Sequence, residues 1–310
     1  MKVLVSGAAG FVSSALLGYW ANSKHDVGVE GIGAITSSSD QLRWVSKNKL
    51  VDIIESNVFF QKEYRPKINY DIYVHGMSAP RSFGNERSKA NVTCLDRSLN
   101  RCRALGIKKF VYLSSGAVYR NSCVPVSEDD DLHTFNSTSD NYIVSKLIGE
   151  SLVRSFCESN NMDYVILRLF TFSGPFLVAR TEFVISDLIR MAVLEKKIYL
   201  KNPGYVRSYL HQSDMAMQID RALAIDDEEI KTFNIGSAKE VGLLSLAEYI
   251  SEACDAELFL PRKNIDHDSG MKYYVPDMSK LYRSMSDKPE KSLAFSIKDM
   301  VRTVRQTNYE

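Results

Sequence analysis

The sequence predicts an α/β fold, a doubly wound parallel sheet covered by helices, followed by a smaller α/β region at the C-terminal side. Three observations carry that expectation. Short, β-branched apolar runs alternate with longer segments of helical period through roughly the first 170 residues, the pattern of strands buried on both faces. A glycine turn directly follows the first apolar run, and beyond about residue 170 the alternation loosens into shorter elements.

Lys2 to Val5 reads as the first strand. Ser6, Gly7 and Gly10 break the apolar run at once, so it enters a turn and is no secretory leader. Phe11 to Trp20 follows as a helix. Asp26 to Val29, Leu50 to Ile54 and Tyr70 to Val74 are the next strands, Glu86 to Leu105 a helix, and Lys109 to Leu113 the fifth strand. Tyr142 to Cys157 forms a helix behind a Ser139-Asp140 start signal, with Ile143, Leu147, Val153 and Phe156 near one face. Asp163 to Leu169 is the sixth strand, and Glu182 to Leu194 and Leu243 to Cys254 are later helices.

Composition excludes several classes. Among 310 residues, 45 % are apolar and 25 % charged, as in an ordinary globular protein. Lys plus Arg is 39 and Asp plus Glu 38, so no general positive field recruits nucleic acid. No stretch approaches 18 apolar residues, which leaves no membrane span. Five cysteines, Cys94, Cys102, Cys123, Cys157 and Cys254, show no C-x-x-C spacing. The expectation is a reducing, cytoplasmic setting without disulfides or zinc. His25, His75, His133, His211 and His267 lack metal spacing and read as structural or surface residues.

Gly7-Ala8-Ala9-Gly10-Phe11-Val12-Ser13 lies between the first strand and the first helix. Glycines there let a dinucleotide pyrophosphate approach the backbone, and the helix N-terminus attracts its charge. Ser13 replaces the third glycine of the usual spacing. A carboxylate at the end of the second strand would hold the ribose of NAD and repel the 2′-phosphate of NADP. Gly31 stands at the expected place, Glu30 is one residue off, and Ser37, Ser38, Arg43 and Lys47 follow. NAD or NADP both remain open, with the balance slightly toward NADP.

Tyr142 and Lys146, four residues apart, share one helix face. An ammonium beside a phenol favours the phenolate, which suits tyrosine for proton exchange with a substrate hydroxyl. With 16 tyrosines and 21 lysines, chance alone supplies about one such pair, so context decides. Ser114 and Ser115 end the fifth strand at the carboxyl edge, where ligands bind in such sheets.

These segments, in this order, resemble the extended short-chain dehydrogenase/reductases, specifically the NAD(P)-dependent sugar epimerase/dehydratase group. Ser6-Gly7-Ala8-Ala9-Gly10-Phe11 resembles the family's T-G-x-x-G-[FY] turn, and Phe110 to Tyr119 its strand bearing a catalytic Ser or Thr. Tyr142-x-x-x-Lys146 follows in register. Leu167 to Pro175 is similar to L-R-x-F-N-V-Y-G-P, Arg207 to Asp214 to R-D-[FY]-I-H-V-x-D, Phe233 to Gly236 to F-N-I-G, and Asp277 to Lys280 to D-x-S-K. The likeness is weakest over residues 32 to 68 and 120 to 138.

The resemblance implies a Rossmann-type cofactor domain over residues 1–170, to which a segment at about 206–236 returns, and a mainly substrate-binding lobe over 171–310. It implies hydride transfer on a nucleotide sugar, with Tyr142 as acid/base, Lys146 as its partner and ribose anchor, and Ser115 as hydrogen-bond donor. Gly7, Ala9, Gly10, Phe11 and Val12 would line the cofactor phosphates, with His75, Gly76, Met77 and Ser114 also beside the cofactor. Arg207 would hold the sugar nucleotide's pyrophosphate, and Ser78, Arg81, Gly116, Thr171 and Arg180 complete the expected substrate contacts. A homodimer through the helices at 86–105 and 142–157 is also implied.

Departures from the pattern narrow the chemistry. Gly116 and Ala117 stand where the 4,6-dehydratases carry Asp and Glu, which disfavours dehydration. Thr171 replaces the pattern's Asn and Ser173 its Tyr. The reading is therefore a C4 epimerase or a 4-keto-sugar reductase. The alternatives are a cofactor-sensing or scaffold protein without turnover, or a dehydrogenase of a phosphate-free small alcohol.

Overall fold

The computed structural model describes residues 1–22, 28–79, 81–135, 137–138, 140–225, 231–261, 273–285, 288 and 290–307; of Arg81 it describes the backbone. In chain order come β1 (Lys2–Ser6), α1 (Phe11–Asn22), β2 (Gly31–Thr36), β3 (Val51–Glu55), a single turn α2 (Ser56–Phe59), β4 (Ile72–His75), α3 (Arg87–Leu105), β5 (Lys109–Ser115), α4 (Asn141–Ser159) and β6 (Asp163–Leu169). There follow β7 (Phe172–Ser173), α5 (Val184–Arg190), β8 (Lys197–Tyr199), β9 (Val206–Arg207), β10 (Leu210–His211), α6 (Gln212–Leu223) and β11 (Thr232–Ile235). The chain then forms β12 (Val241–Gly242), α7 (Leu243–Cys254), β13 (Glu257–Phe259), β14 (Tyr273–Tyr274), α8 (Ser279–Arg283) and α9 (Leu293–Thr307).

The chain divides into two compact units. The first comprises residues 1–119, 131–169 and 216–233, the second residues 120–130, 170–215 and 234–310. A seven-stranded parallel sheet runs in the order β11-β6-β5-β4-β1-β2-β3. Strand order reverses between β1 and β4, whose paired ends are Ser6 and His75. In a doubly wound sheet that switch point is where a ligand finds a crevice at the strands' carboxyl ends. On one face of the sheet, Leu4, Tyr73, Phe110 and Ile166 pack with Leu99 of α3 and Val153 of α4 in one apolar cluster. Burying such side chains contributes about 1.5–3 kcal/mol each, so α3 and α4 are held where the site needs them.

The second strand departs from the sequence-based expectation. Asp26 to Val29 is not its location: residues 26 and 27 lie outside the described residues, and β2 runs from Gly31 to Thr36, with Lys2 paired to Gly31 and Ser6 to Ile35. Two glycines mask this strand in the sequence. A Cβ at Gly33 would meet Leu4 Cδ2 at 2.4 Å and the Tyr70 ring at 2.9 Å, and one at Gly31 would meet Ile68 Cδ1 at 2.8 Å. These glycines therefore mark close packing and not a turn. Gly31 and Glu30 lie at the amino edge, and the residues at the carboxyl end are Thr36, Ser37 and Ser38.

The second unit is built of shorter pieces. β9 pairs antiparallel with β12 and parallel with β14, and β13 pairs with β8. The helix expected over Glu182 to Leu194 is α5 followed by one π turn over Met191–Glu195, closed by Lys196 at φ 57. α7 covers the residues expected of it. Among the described residues no helix is long and apolar enough to cross a membrane.

Candidate active site

The glycine turn supplies a floor of bare backbone. Gly7 sits at φ +63, and a Cβ there would lie 2.7 Å from the Gly76 carbonyl oxygen and 3.0 Å from the Met77 nitrogen. The ends of β1 and β4 thus touch main chain to main chain, which only glycine permits. Gly10 donates to Gly7 O at 2.8 Å, and Ser14 N–H to Gly10 O at 2.8 Å opens α1. Ser13, the residue in the third-glycine position, turns its hydroxyl onto Ser6 O at 3.2 Å. The nearest atom to a Cβ built on Gly76 is that same Ser13 Oγ, at 2.3 Å. Ser6 Oγ completes the joint by donating to Val74 O and accepting from the Gly76 N–H, both at 3.2 Å. A flat backbone floor at the positive end of a helix, at a topological switch point, fits a dinucleotide pyrophosphate.

His75 ends β4 beside this floor, paired with Ser6. It is 3 % exposed and stacks against Phe110 with ring centroids 6.0 Å apart. Its Nδ1 is buried without a hydrogen-bond partner among the described residues. Burial, with Lys146 adding to it, pushes the imidazole down to about 3, so it is neutral at physiological pH.

The side chains expected to react stand on β5 and α4. β5 ends in Ser114 and Ser115, both buried, and Ser115 caps the short helical turn Gly116–Val118 by accepting from Ala117 N–H at 3.2 Å. Asp140 caps α4 by accepting from the Tyr142 N–H at 2.7 Å, which puts Tyr142 in the first turn. One turn later Lys146, 7 % exposed, donates to Leu113 O at 2.6 Å. That bond fixes the register of α4 against the last residues of β5. The ammonium lies 4.9 Å from the Tyr112 ring centroid and 5.7 Å from that of Tyr142. Burial pushes Lys146 down to about 8, opposed by the Glu150 carboxylate and reinforced by Arg87. It remains mostly charged at pH 7.

Sequence reasoning missed three residues near these groups. Glu150 is buried one turn beyond Lys146 and accepts from Ser114 Oγ at 2.6 Å, Arg168 Nε at 3.1 Å and Arg168 Nη2 at 2.9 Å. Arg168 also donates to the Tyr119 hydroxyl at 2.9 Å, and Glu150 holds its guanidinium well above the usual range against the cost of burial. This forked pair anchors β5, α4 and β6 to one another. Arg87 lies with Cζ 4.6 Å from the Tyr142 ring centroid. Two left a signal: Glu150 continues the Lys146 face at i+4, and Arg168 is the arginine of the Leu167–Pro175 motif, following the apolar run Tyr164–Leu167 of β6. Arg87 carried none.

Of the other expected site residues, Gly7, Ala9, Gly10, Phe11, Val12, His75, Gly76, Met77, Ser114, Ser115, Gly116, Tyr142 and Lys146 all belong to the first unit. Ser78 there is exposed. Thr171, Arg180 and Arg207 belong to the second unit. Arg180 lies 3.8 Å from Glu182, and Arg207 is half-buried among tyrosines, 5.1 Å from the Tyr205 ring centroid and 5.8 Å from that of Tyr274. Burial lowers the Arg207 guanidinium, with Tyr209, Tyr274 and Tyr205 countering it. At the β2 end, Ser38 N–H donates to Thr36 Oγ1 at 3.0 Å, while Arg43 pairs with Asp40 at 2.7 Å in solvent. Among the described residues, no cluster of His, Cys, Asp and Glu could hold a metal ion.

Comparison with known proteins agrees with this architecture. The model of the "NAD dependent epimerase/dehydratase family" matches residues 3–236. A Bacillus subtilis (strain 168) protein described as an uncharacterized UDP-glucose epimerase, YtcB, is 29 % identical over 264 residues, 81 % of this chain and 82 % of its own. A dTDP-4-dehydro-6-deoxy-D-allose reductase of Streptomyces bikiniensis is 25 % identical over 268 residues, 80 % of this chain and 79 % of its own. Among solved structures, UDP-glucuronic acid 4-epimerase from Bacillus cereus, in complex with UDP-glucuronic acid and NAD, superposes with a TM-score of 0.83 at 21 % identity, over 99 % of this chain and 100 % of that one.

Proposed function

The chain belongs to the NAD dependent epimerase/dehydratase family, and from that premise we propose that it is an NAD(P)-dependent nucleotide-sugar oxidoreductase, a C4 epimerase or a 4-keto-sugar reductase, with Tyr142 as acid/base. The observation that carries this reading is the buried Lys146 ammonium, bonded to Leu113 O and 5.7 Å from the Tyr142 ring. A cation held there favours the phenolate, so Tyr142 can take the proton of a sugar 4-hydroxyl or give one to a 4-keto oxygen. Ser115 is the donor to the same oxygen. The nicotinamide, when bound, would supply hydride acceptance and return at C4 in the epimerase, or hydride donation to C4 from its reduced form in the reductase. Gly7, Ala9, Gly10, Phe11 and Val12 hold the cofactor phosphates, with His75, Gly76, Met77 and Ser114 beside them.

Gly116 and Ala117 offer no side chain able to move a proton at C5 or C6, so the chemistry stops short of dehydration. At the β2 end, Thr36, Ser37 and Ser38 present hydroxyls and no carboxylate, which accommodates the 2′-phosphate of NADP as well as a ribose diol. We assign the pyrophosphate of the sugar nucleotide to Arg207, further substrate contacts to Ser78, Arg81, Gly116, Thr171 and Arg180, and the dimer contact to α3 and α4, in a cytoplasmic protein.

The test begins with purified protein, denatured and read for nicotinamide absorbance: abundant retained cofactor favours the epimerase, an empty site the reductase. A thermal-stabilisation panel of UDP-, dTDP-, GDP- and CDP-sugars then finds the nucleotide, because a ligand bound to the folded state raises its melting temperature. Tyr142→Phe lowers turnover of the hit by about 10²–10⁴. Unchanged turnover, or no stabilisation by any nucleotide sugar, overturns the reading in favour of a non-catalytic or phosphate-free one.

A further inference from the structure

Tyr142 is embraced from a direction that the tyrosine-lysine pairing does not describe. Arg87 opens α3, and its guanidinium carbon lies 4.6 Å from the centroid of the Tyr142 ring, closer than Lys146 Nζ at 5.7 Å. The arginine is not a loosely waving surface charge. Its Nε donates to Ala79 O at 2.9 Å, in the loop that continues from β4 past His75, Gly76 and Met77. Ala79 in turn donates its N–H to Asn91 Oδ1 at 2.6 Å, Asn91 Nδ2 donates to Ser145 Oγ at 3.1 Å, and Ser145 Oγ donates to Tyr142 O at 2.8 Å. The two ends of this chain of bonds therefore meet on one residue: its backbone carbonyl is tied through α3 to the post-β4 loop, and its ring is covered by the arginine tied to the same loop.

We propose that Arg87 is a positioning residue for Tyr142, holding the phenol ring against α3 and stabilising its phenolate alongside Lys146. A guanidinium over an aromatic face is attracted by the ring quadrupole, and the attraction strengthens once the ring oxygen carries charge. Among the described residues, the groups facing Tyr142 include Lys146 on its own helix, Arg87 from α3 and the phenol of Tyr112 from β5. The Asp140 carboxylate is engaged with the Tyr142 backbone N–H. Glu150 acts one step removed, through Lys146 and Tyr112. Two cations thus converge on one phenol, and removing either leaves the other. The inference rests on the reading of Tyr142 as the acid/base, and it adds a second source of phenolate stabilisation and a fixed ring orientation.

The test uses the full-length protein labelled at tyrosine Cζ with ¹³C, the Tyr142 signal being assigned by its loss in Tyr142→Phe. The phenol is titrated by NMR in the parent chain, Arg87→Ala and Arg87→Lys. The expected result is a rise of about one pH unit in the Tyr142 midpoint for Arg87→Ala, a tenfold loss of phenolate at a given pH, with partial recovery in Arg87→Lys and unmoved signals from distant tyrosines. A midpoint in Arg87→Ala within 0.3 of the parent overturns the proposal. The titration needs no substrate, so its outcome is separate from that of the acid/base reading, which falls only if Tyr142→Phe retains turnover of a nucleotide sugar.

Discussion

Glu150→Gln makes a demanding test of how the site is held. The carboxylate is 3 % exposed and takes two charge-assisted bonds from Arg168 and one from the Ser114 hydroxyl. Replacing one oxygen by an amide group turns a donor toward the Arg168 fork and leaves that guanidinium, also 3 % exposed, without its counter-charge. Breaking a buried pair from one side costs about 3–5 kcal/mol, since the surviving charge stays desolvated. In a chain of this size each kcal/mol lowers the melting temperature by about 2–4 °C or less, so a fall on the order of 5–10 °C is expected by calorimetry. Arg168→Met removes the stranded cation, and the double variant should lose several kcal/mol less than the sum of the two single changes. A melting temperature within about 1 °C of the parent, or strict additivity in the cycle, would refute the claim that this pair ties β5, α4 and β6 together.

Gly7→Ala forces a methyl group to 2.7 Å from the Gly76 carbonyl at a left-handed φ of +63, so nicotinamide-cofactor affinity measured by fluorescence quenching should fall at least about tenfold. Unaltered binding would show that the phosphates lie elsewhere. For Lys146, burial pushes the folded-state value to about 8 from the ordinary 10.5. The folded protein therefore binds fewer protons than the unfolded chain between those values, and stability rises with pH across that window while the full penalty is present below pH 8. Lys146→Met should flatten that rise and recover up to about 3 kcal/mol at pH 7, less the lost bond to Leu113, as read by urea titration at several pH values. A difference curve with no slope between pH 8 and 10.5 would contradict the burial argument.

The parts of the fold that were legible in the sequence are those whose signals are local. β1 and β6 are built on the apolar runs Val3–Val5 and Tyr164–Leu167, α7 keeps its period from Leu243 to Cys254, and Asp140 announces the start of α4. β2 was misplaced because its glycines are demanded by Leu4, Tyr70 and Ile68, residues distant in sequence that leave no trace in the strand itself. The inward face of α4 was only half seen: Leu147 and Val153 are buried as expected, but so are Lys146 and Glu150, which no apolar stripe reveals. Ser115, Tyr142 and Lys146 could be named from spacing and context. The contacts of Arg87, Asn91 and Arg168 could not, even though Arg168 stands in the Leu167–Pro175 motif, since each acts through a partner from 18 to 55 residues away.

The contact between Gly7 and Gly76 carries a consequence for how such a site can change. Its surface is peptide backbone, so apart from the Ser6 and Ser13 hydroxyls that brace it, exchanges of neighbouring side chains leave the shape and dipoles of the proposed phosphate seat untouched, and the smallest possible side chain at either glycine spoils it. Variation has no gradual path there. An altered cofactor preference, whether arrived at by drift or by engineering, has to be written at the rim, where Ser37 and Ser38 leave β2 and a carboxylate or a guanidinium can be exchanged for a hydroxyl without moving the chain.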